Sequence, residues 1–113
     1  MTNKLRGEVK IELGGTEYTA RLTIDSIIRL EEREGESLIK MASRLSEADM
    51  TTAKIVSILH LALRGGTGKD LSEADIKKIV WEAGLASSMK AVGEVLSASL
   101  SPESFSEGNV EAG

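Results

Sequence analysis

The chain has 113 residues, a net charge of −4, no cysteine and three aromatic residues: Tyr18, Trp81 and Phe105. That length fits one domain able to bury roughly two-thirds of its unfolded surface, and the missing thiols exclude disulfides, thiolate metal sites and cysteine nucleophiles. An acidic balance with so few aromatics supplies neither a basic field for phosphates nor a stacking platform for single strands, so no nucleic-acid partner is expected.

No apolar run approaches the ~18 residues of a membrane span. Met1–Arg6 is not followed by an apolar stretch, so the sequence shows no secretory leader and the expected place is the cytoplasm. With few aromatics, the core must be aliphatic.

Residues 5–23 predict a β-hairpin. Val9, Ile11 and Leu13 alternate with charged residues, Gly14-Gly15 follows, and Tyr18, Ala20 and Leu22 alternate again. Period-2 alternation around a Gly-Gly pair is a hairpin signal, and one apolar face requires something to lie on. From Ile24 the period becomes helical. Ile24, Ile27, Ile28 and Glu31 share a face, Thr23 suits an N-cap, and Gly35 ends the helix. Leu38, Met41, Ala42 and Leu45 form a second short stripe.

A third helix is predicted from about Thr52 to Arg64. Its apolar residues cover most of its circumference, which marks it as the central helix, and Gly65-Gly66 is read as its stop. The fourth helix opens at Ser72 with Asp75 three residues on, a variant capping box. It carries Ile76, Ile79, Val80 and Ala83 inward and ends at Gly84. The fifth has the stripe Leu85, Met89, Val92, Leu96 and Leu100. The fold class is therefore α+β, mainly α, with one domain over 1–100 (hairpin 5–23, helices 24–100). The Ser-, Glu- and Gly-rich segment 101–113 reads as a disordered tail.

Leu-Ser-Glu-Ala-Asp occurs at 45–49 and again at 71–75. Nothing around the two copies repeats, so both read as helix-boundary punctuation and not as a duplicated unit.

Reactive chemistry finds no support. Gly65-Gly66-Thr67-Gly68-Lys69 lacks the P-loop's first glycine, has Asp70 where Ser or Thr is needed, and follows a helix instead of a strand. His60 is the single histidine and sits inside an apolar helix, where its ring needs a hydrogen-bond partner. Glu31, Glu32, Glu34 and Glu36 alternate with Arg29 and Arg33 as on a solvated face. No serine lies in a nucleophile elbow. The chain is read as a non-enzyme with no metal and no cofactor.

Trp81 falls about 100° beyond Val80 on the wheel, beside Lys77 and Ala74. Off the core stripe it is either a protein-contact residue, a role in which tryptophan is enriched, or it is covered by the fifth helix or the hairpin. The candidate contact residues are Trp81, Lys77 and Ala74, with Arg64, Gly65 and Gly66 where the third helix gives way to the loop before the fourth.

Read together, Lys4-Leu5-Arg6-Gly7-Glu8-Val9, the run Tyr18-Thr19-Ala20-Arg21-Leu22-Thr23-Ile24-Asp25 on to Leu30-Glu31, and Leu61-Ala62-Leu63-Arg64-Gly65-Gly66 resemble the small tail proteins of gene transfer agents and related long-tailed phages. The resemblance spans roughly residues 4–100. Such proteins are described as tail assembly chaperones or as tail tube proteins. It implies a mainly helical fold, no catalytic residues, and binding to a tape-measure protein, to tail-tube subunits, or to both. Self-association and association with the particle are compatible with it. No second domain for recruiting tube subunits is read here. A structural tail-tube subunit and a small ligand-binding regulator are the alternatives.

Overall fold

The computed structural model describes residues 7–100. The segment 101–113, read above as a disordered tail, lies outside the described residues, as do the first two positions of the hairpin reading. The architecture is α+β and mainly α: a two-stranded antiparallel sheet and five helices.

Strands β1 (Val9–Leu13) and β2 (Thr16–Ala20) pair with Val9 opposite Ala20 and Leu13 opposite Thr16. The two residues left between them, Gly14 and Gly15, have φ of 62° and 84°. A two-residue turn with two positive φ angles is the one whose twist suits a hairpin, and glycine adopts it without steric cost. Ile11, Leu13 and Ala20 are buried, with Val9 and Tyr18 packed beside them. This apolar face lies on helix α5 (Leu85–Leu100), while β2 lies against helix α3 (Thr52–Thr67).

Helix α3 is the central element. Seven of its residues are buried: Ile55, Val56, Ile58, Leu59, Leu61, Ala62 and Leu63. The sequence reading ended it at Gly65-Gly66, and that boundary is corrected. The helix continues through both glycines to Thr67, and Gly68, at φ 75°, is the left-handed cap. Glycine inside a helix costs about 1 kcal/mol relative to alanine, and here the gain is proximity. A methyl group on Gly65 would overlap the Arg21 carbonyl oxygen. One on Gly66 would overlap the Thr19 carbonyl and stand 2.6 Å from Ala20 Cα. The Arg21 N–H donates to the Ala62 carbonyl at 2.9 Å. Backbone thus meets backbone, and the edge of β2 that β1 leaves free is covered.

Helices α1 (Ile24–Glu34) and α2 (Leu38–Ser46) begin with hydroxyl caps. Thr23 accepts from the Ser26 N–H and Ser37 from the Lys40 N–H. Gly35 ends α1 in the left-handed region. The predicted inward face of α1 is corrected: Leu30 is the residue it buries, with Ile27 packed beside it, whereas Ile24 is 69% and Ile28 47% exposed. Helix α1 packs chiefly on α3 and α2, so one narrow strip suffices to hold it.

The acidic cluster is also less solvated than expected. The Glu36 side chain is only 11% exposed and pairs with Arg44 at 2.7 Å and with Lys54 of α3. Glu31 accepts the Leu38 N–H at 2.9 Å, satisfying a donor at the start of α2. Glu32 does remain exposed.

Helix α4 (Glu73–Ala83) has the predicted capping box, with Ser72 and Asp75 each accepting the other's backbone N–H. Ile76 and Val80 are buried, Ile79 and Ala83 packed at the margin. Helix α5 departs from its predicted stripe. Leu85 and Leu100 are exposed, and the buried set is Ser88, Ala91, Val92, Val95, Leu96 and Ala98. Small residues let α5 approach its neighbours closely. The buried Ser88 hydroxyl is satisfied by donating to the Gly84 carbonyl at 2.8 Å.

Candidate functional site

Helix α4 packs against α3 and α5 through Ile76 and Val80. Positions 74, 77 and 81 lie three and four residues apart and share a strip of the helix. All three are exposed, Trp81 to 84%. Neither α5 nor the hairpin covers it. Lys77 has only a loose contact with Glu73 one turn back, at 3.9 Å between largely exposed side chains. Such pairs contribute little and open easily. The strip therefore presents a large apolar ring beside a cation.

The other three candidate residues separate from that strip. Arg64 is exposed and paired with Asp70 at 3.1 Å. Gly65 and Gly66 are half-buried, and the face that lacks a side chain is turned to the β2 backbone. The molecule's own β2 already occupies them.

Further exposed apolar side chains escaped the sequence reading. Ile24 and Ile28 on α1 and Ile39 on α2 stand out from the surface, as does Leu85 just after the Gly84 corner. Ile24 and Ile28, one turn apart, had the spacing of a core stripe. Leu30 with Ile27 offers a second stripe on the same helix, and helical periodicity alone does not choose between two.

A polar cleft of about 420 Å³ lies between α1 and the end of α3. Its walls include Asp25, Arg29, Arg64, Lys69 and Asp70. It sits at the C-terminal end of α3, where the helix dipole is negative. A P-loop holds phosphate at the opposite, N-terminal end. His60 is accounted for: its Nε2 donates to the Leu71 carbonyl at 2.8 Å, tying the loop before α4 to α3. Since a carbonyl only accepts, Nε2 must carry the hydrogen.

Three charged groups show displaced titration. Glu36 is held below the usual carboxylate range, first by its hydrogen bond from Lys54 and then by Arg44. Arg44 is correspondingly raised by Glu36. Asp75 is lowered by the Ser72 backbone N–H that it accepts in the capping box. All three belong to helix ends and their tethers. Among the described residues no cluster of three or more His, Asp or Glu could hold a metal ion, and no described helix is long and apolar enough to cross a membrane.

A family profile described as phage tail tube protein, GTA-gp10, matches residues 6–101. No curated protein and no solved structure matches the chain.

Proposed function

Since the chain belongs to the phage tail tube protein, GTA-gp10, family, we propose that it acts in tail morphogenesis as an assembly chaperone. In this reading it binds the tape-measure protein, tail-tube subunits, or both, through exposed apolar positions on its helices. The observation that carries the reading is Trp81, the largest side chain of the molecule, left 84% exposed on α4 beside Lys77. Tryptophan is among the residues that most often dominate protein interfaces. An amphipathic partner helix would meet here an apolar ring and a cation that its own acidic residues could pair.

The test is co-expression with the tape-measure protein. The chaperone should raise the soluble fraction of its partner and co-purify with it, and Trp81→Ser should abolish both effects while leaving the fold intact. If the partner's solubility does not change and no complex forms, the chaperone reading fails.

The family's description as a tail tube protein favours a second reading, a structural tube or tube-associated subunit. That reading requires the protein to be present at subunit stoichiometry in purified particles, whereas a chaperone would leave before the particle is complete.

A further inference from the structure

The polar cleft between α1 and the end of α3 is walled by Asp25, Ser26 and Arg29 on one side and by Arg64, Lys69 and Asp70 on the other. Three cations thus share it with two carboxylates, on a chain whose net charge is −4. Internal pairing does not use the cations up. Arg64 and Asp70 meet through one contact of 3.1 Å, and the Asp70 side chain is 92% exposed, so the pair opens easily. Among the described residues Arg29 and Lys69 make no ion pair, and both are exposed.

Ser26 adds a neutral donor. Its hydroxyl oxygen accepts the Thr23 hydroxyl at 2.9 Å, which leaves its own hydrogen to donate. Among the described residues nothing accepts it. Guanidinium, ammonium and this hydroxyl all donate, so the cleft selects for an acceptor that carries negative charge. Its own carboxylates and the negative end of the α3 dipole limit how much charge it tolerates. A carboxylate, with one charge and two oxygens that match a guanidinium fork, suits it better than a phosphate dianion.

Helix α1 indicates what bears that carboxylate. Ile24 and Ile28 immediately precede Asp25 and Arg29 and lie on the adjoining ridge, about 100° round the helix. They are 69% and 47% exposed. A small carboxylate ion makes no use of them. A protein segment with acidic residues beside apolar ones uses both ridges.

We propose that the α1–α3 cleft is a carboxylate-binding site whose occupant is an acidic amphipathic segment of a partner protein. Its carboxylates reach Arg29, Arg64 and Lys69 while its apolar residues lie on Ile24 and Ile28. This contact is separate from the Trp81 strip on α4 and does not depend on the chaperone reading.

The probe is a synthetic peptide of about 15 residues, long enough to form a helix, with glutamate and leucine at helical spacing. It is titrated at low salt into the isotope-labelled full chain, and the arginine side-chain Nε–H resonances are followed. Those of Arg29 and Arg64, assigned from their glutamine variants, should move saturably, and less so as salt is raised. A peptide with glutamine in place of glutamate, and inorganic phosphate, should leave them in place. Arg29→Gln and Lys69→Gln should each weaken binding about fivefold, the upper range for an exposed ion pair, and Ile24→Ser should weaken it too. Lys10→Gln, the same charge change on β1, should not. All four positions are exposed, and circular dichroism checks that the fold is kept. Absence of a saturable shift overturns the proposal, as does equal binding of the glutamine peptide. Equal shifts with phosphate overturn the carboxylate assignment, and full affinity in Ile24→Ser overturns the amphipathic occupant. An equal loss in Lys10→Gln would mean attraction to the general field and also overturns the site. A loss in Trp81→Ser with none in Arg29→Gln moves the peptide to α4, which sinks the cleft and spares the α4 reading.

Discussion

Ile58 and Ile24 are the same residue type on neighbouring helices, and the molecule treats them in opposite ways. Ile58 lies in α3, encircled by β2, α1, α4 and α5, and has no exposed surface. Ile24 opens α1 and is 69% exposed. The difference comes from how many neighbours each helix has. Helix α3 is surrounded, so nearly every apolar position on it is buried. Helices α1, α2 and α4 need only one narrow strip each to stay attached. Their remaining large apolar residues, Ile24, Ile28, Ile39 and Trp81, do not serve the core, and a folded monomer gains little from them. Apolar surface that the fold does not use is surface available to a partner.

This contrast can be broken most severely at the seam between α3 and β2. Gly66→Ala puts a methyl group into the Thr19 carbonyl and should cost more than about 3 kcal/mol, since backbone cannot move aside as a side chain can. That is a large share of a small domain's stability. Gly68→Ala, at a left-handed cap with open space around it, should cost about 1–2 kcal/mol. Urea denaturation of the two variants separates close approach from backbone conformation, and equal losses would contradict the seam.

The isoleucines themselves form the second comparison. Ile58→Ala should lose about 2–5 kcal/mol, as cavity-forming substitutions do. Ile24→Ala and Ile39→Ala should stay within about 0.5 kcal/mol of the parent protein. Thermal unfolding of the three variants checks this, and a large loss at Ile24 would mean that α1 is held differently.

A smaller effect distinguishes the two copies of Leu-Ser-Glu-Ala-Asp. Ser72→Ala removes an N-cap and should cost about 1 kcal/mol. Ser46→Ala, in the last turn of α2, should change stability by no more than about 0.5 kcal/mol. The smallest effect concerns the tether between the outer helices and α3. Glu36 titrates below its ordinary value because Lys54 and Arg44 hold its charged form. Its contribution is therefore complete above the unfolded-state pKa, near 4.5, and is lost as pH falls through the lower folded-state value. The parent should exceed Glu36→Gln in stability at neutral pH, and the two curves should converge in acid. Parallel curves in a pH series of denaturant midpoints would show that the pairing does not stabilise the fold.

The repeated pentapeptide also shows where the sequence could be read and where it could not. At 45–49 the five residues close a helix: Glu47 is its C-cap, and Ala48 takes a left-handed φ of 57°. At 71–75 the same five open one, with Ser72 as N-cap. The apolar stripe before the first copy and after the second decides which, and both stripes were legible. The hairpin was legible for a similar reason, because its alternation and its Gly-Gly turn are local. Trp81 was placed off the core stripe correctly, since Ile76 and Val80 anchor the wheel. The helical Gly65-Gly66 was not legible. Locally a glycine pair signals a stop, and the reason for continuing lies in Thr19 and Arg21, more than forty positions earlier. The outward Ile24 and Ile28 were missed because α1 carries two stripes and only its neighbours choose between them.

The seat of α3 on β2 has a consequence for the order of events during synthesis. The hairpin is complete at Ala20, but the backbone that covers its second edge, Ala62 to Gly66, is made about forty residues later. At ribosomal rates of roughly 5–20 residues per second, the hairpin waits about 2–9 seconds for that cover. A two-stranded hairpin alone is marginal in water, and its apolar face also awaits α5, the last helix. The nascent chain thus adds about forty residues while this strand edge stays open, and the apolar face of the hairpin is covered only once α5 has been made.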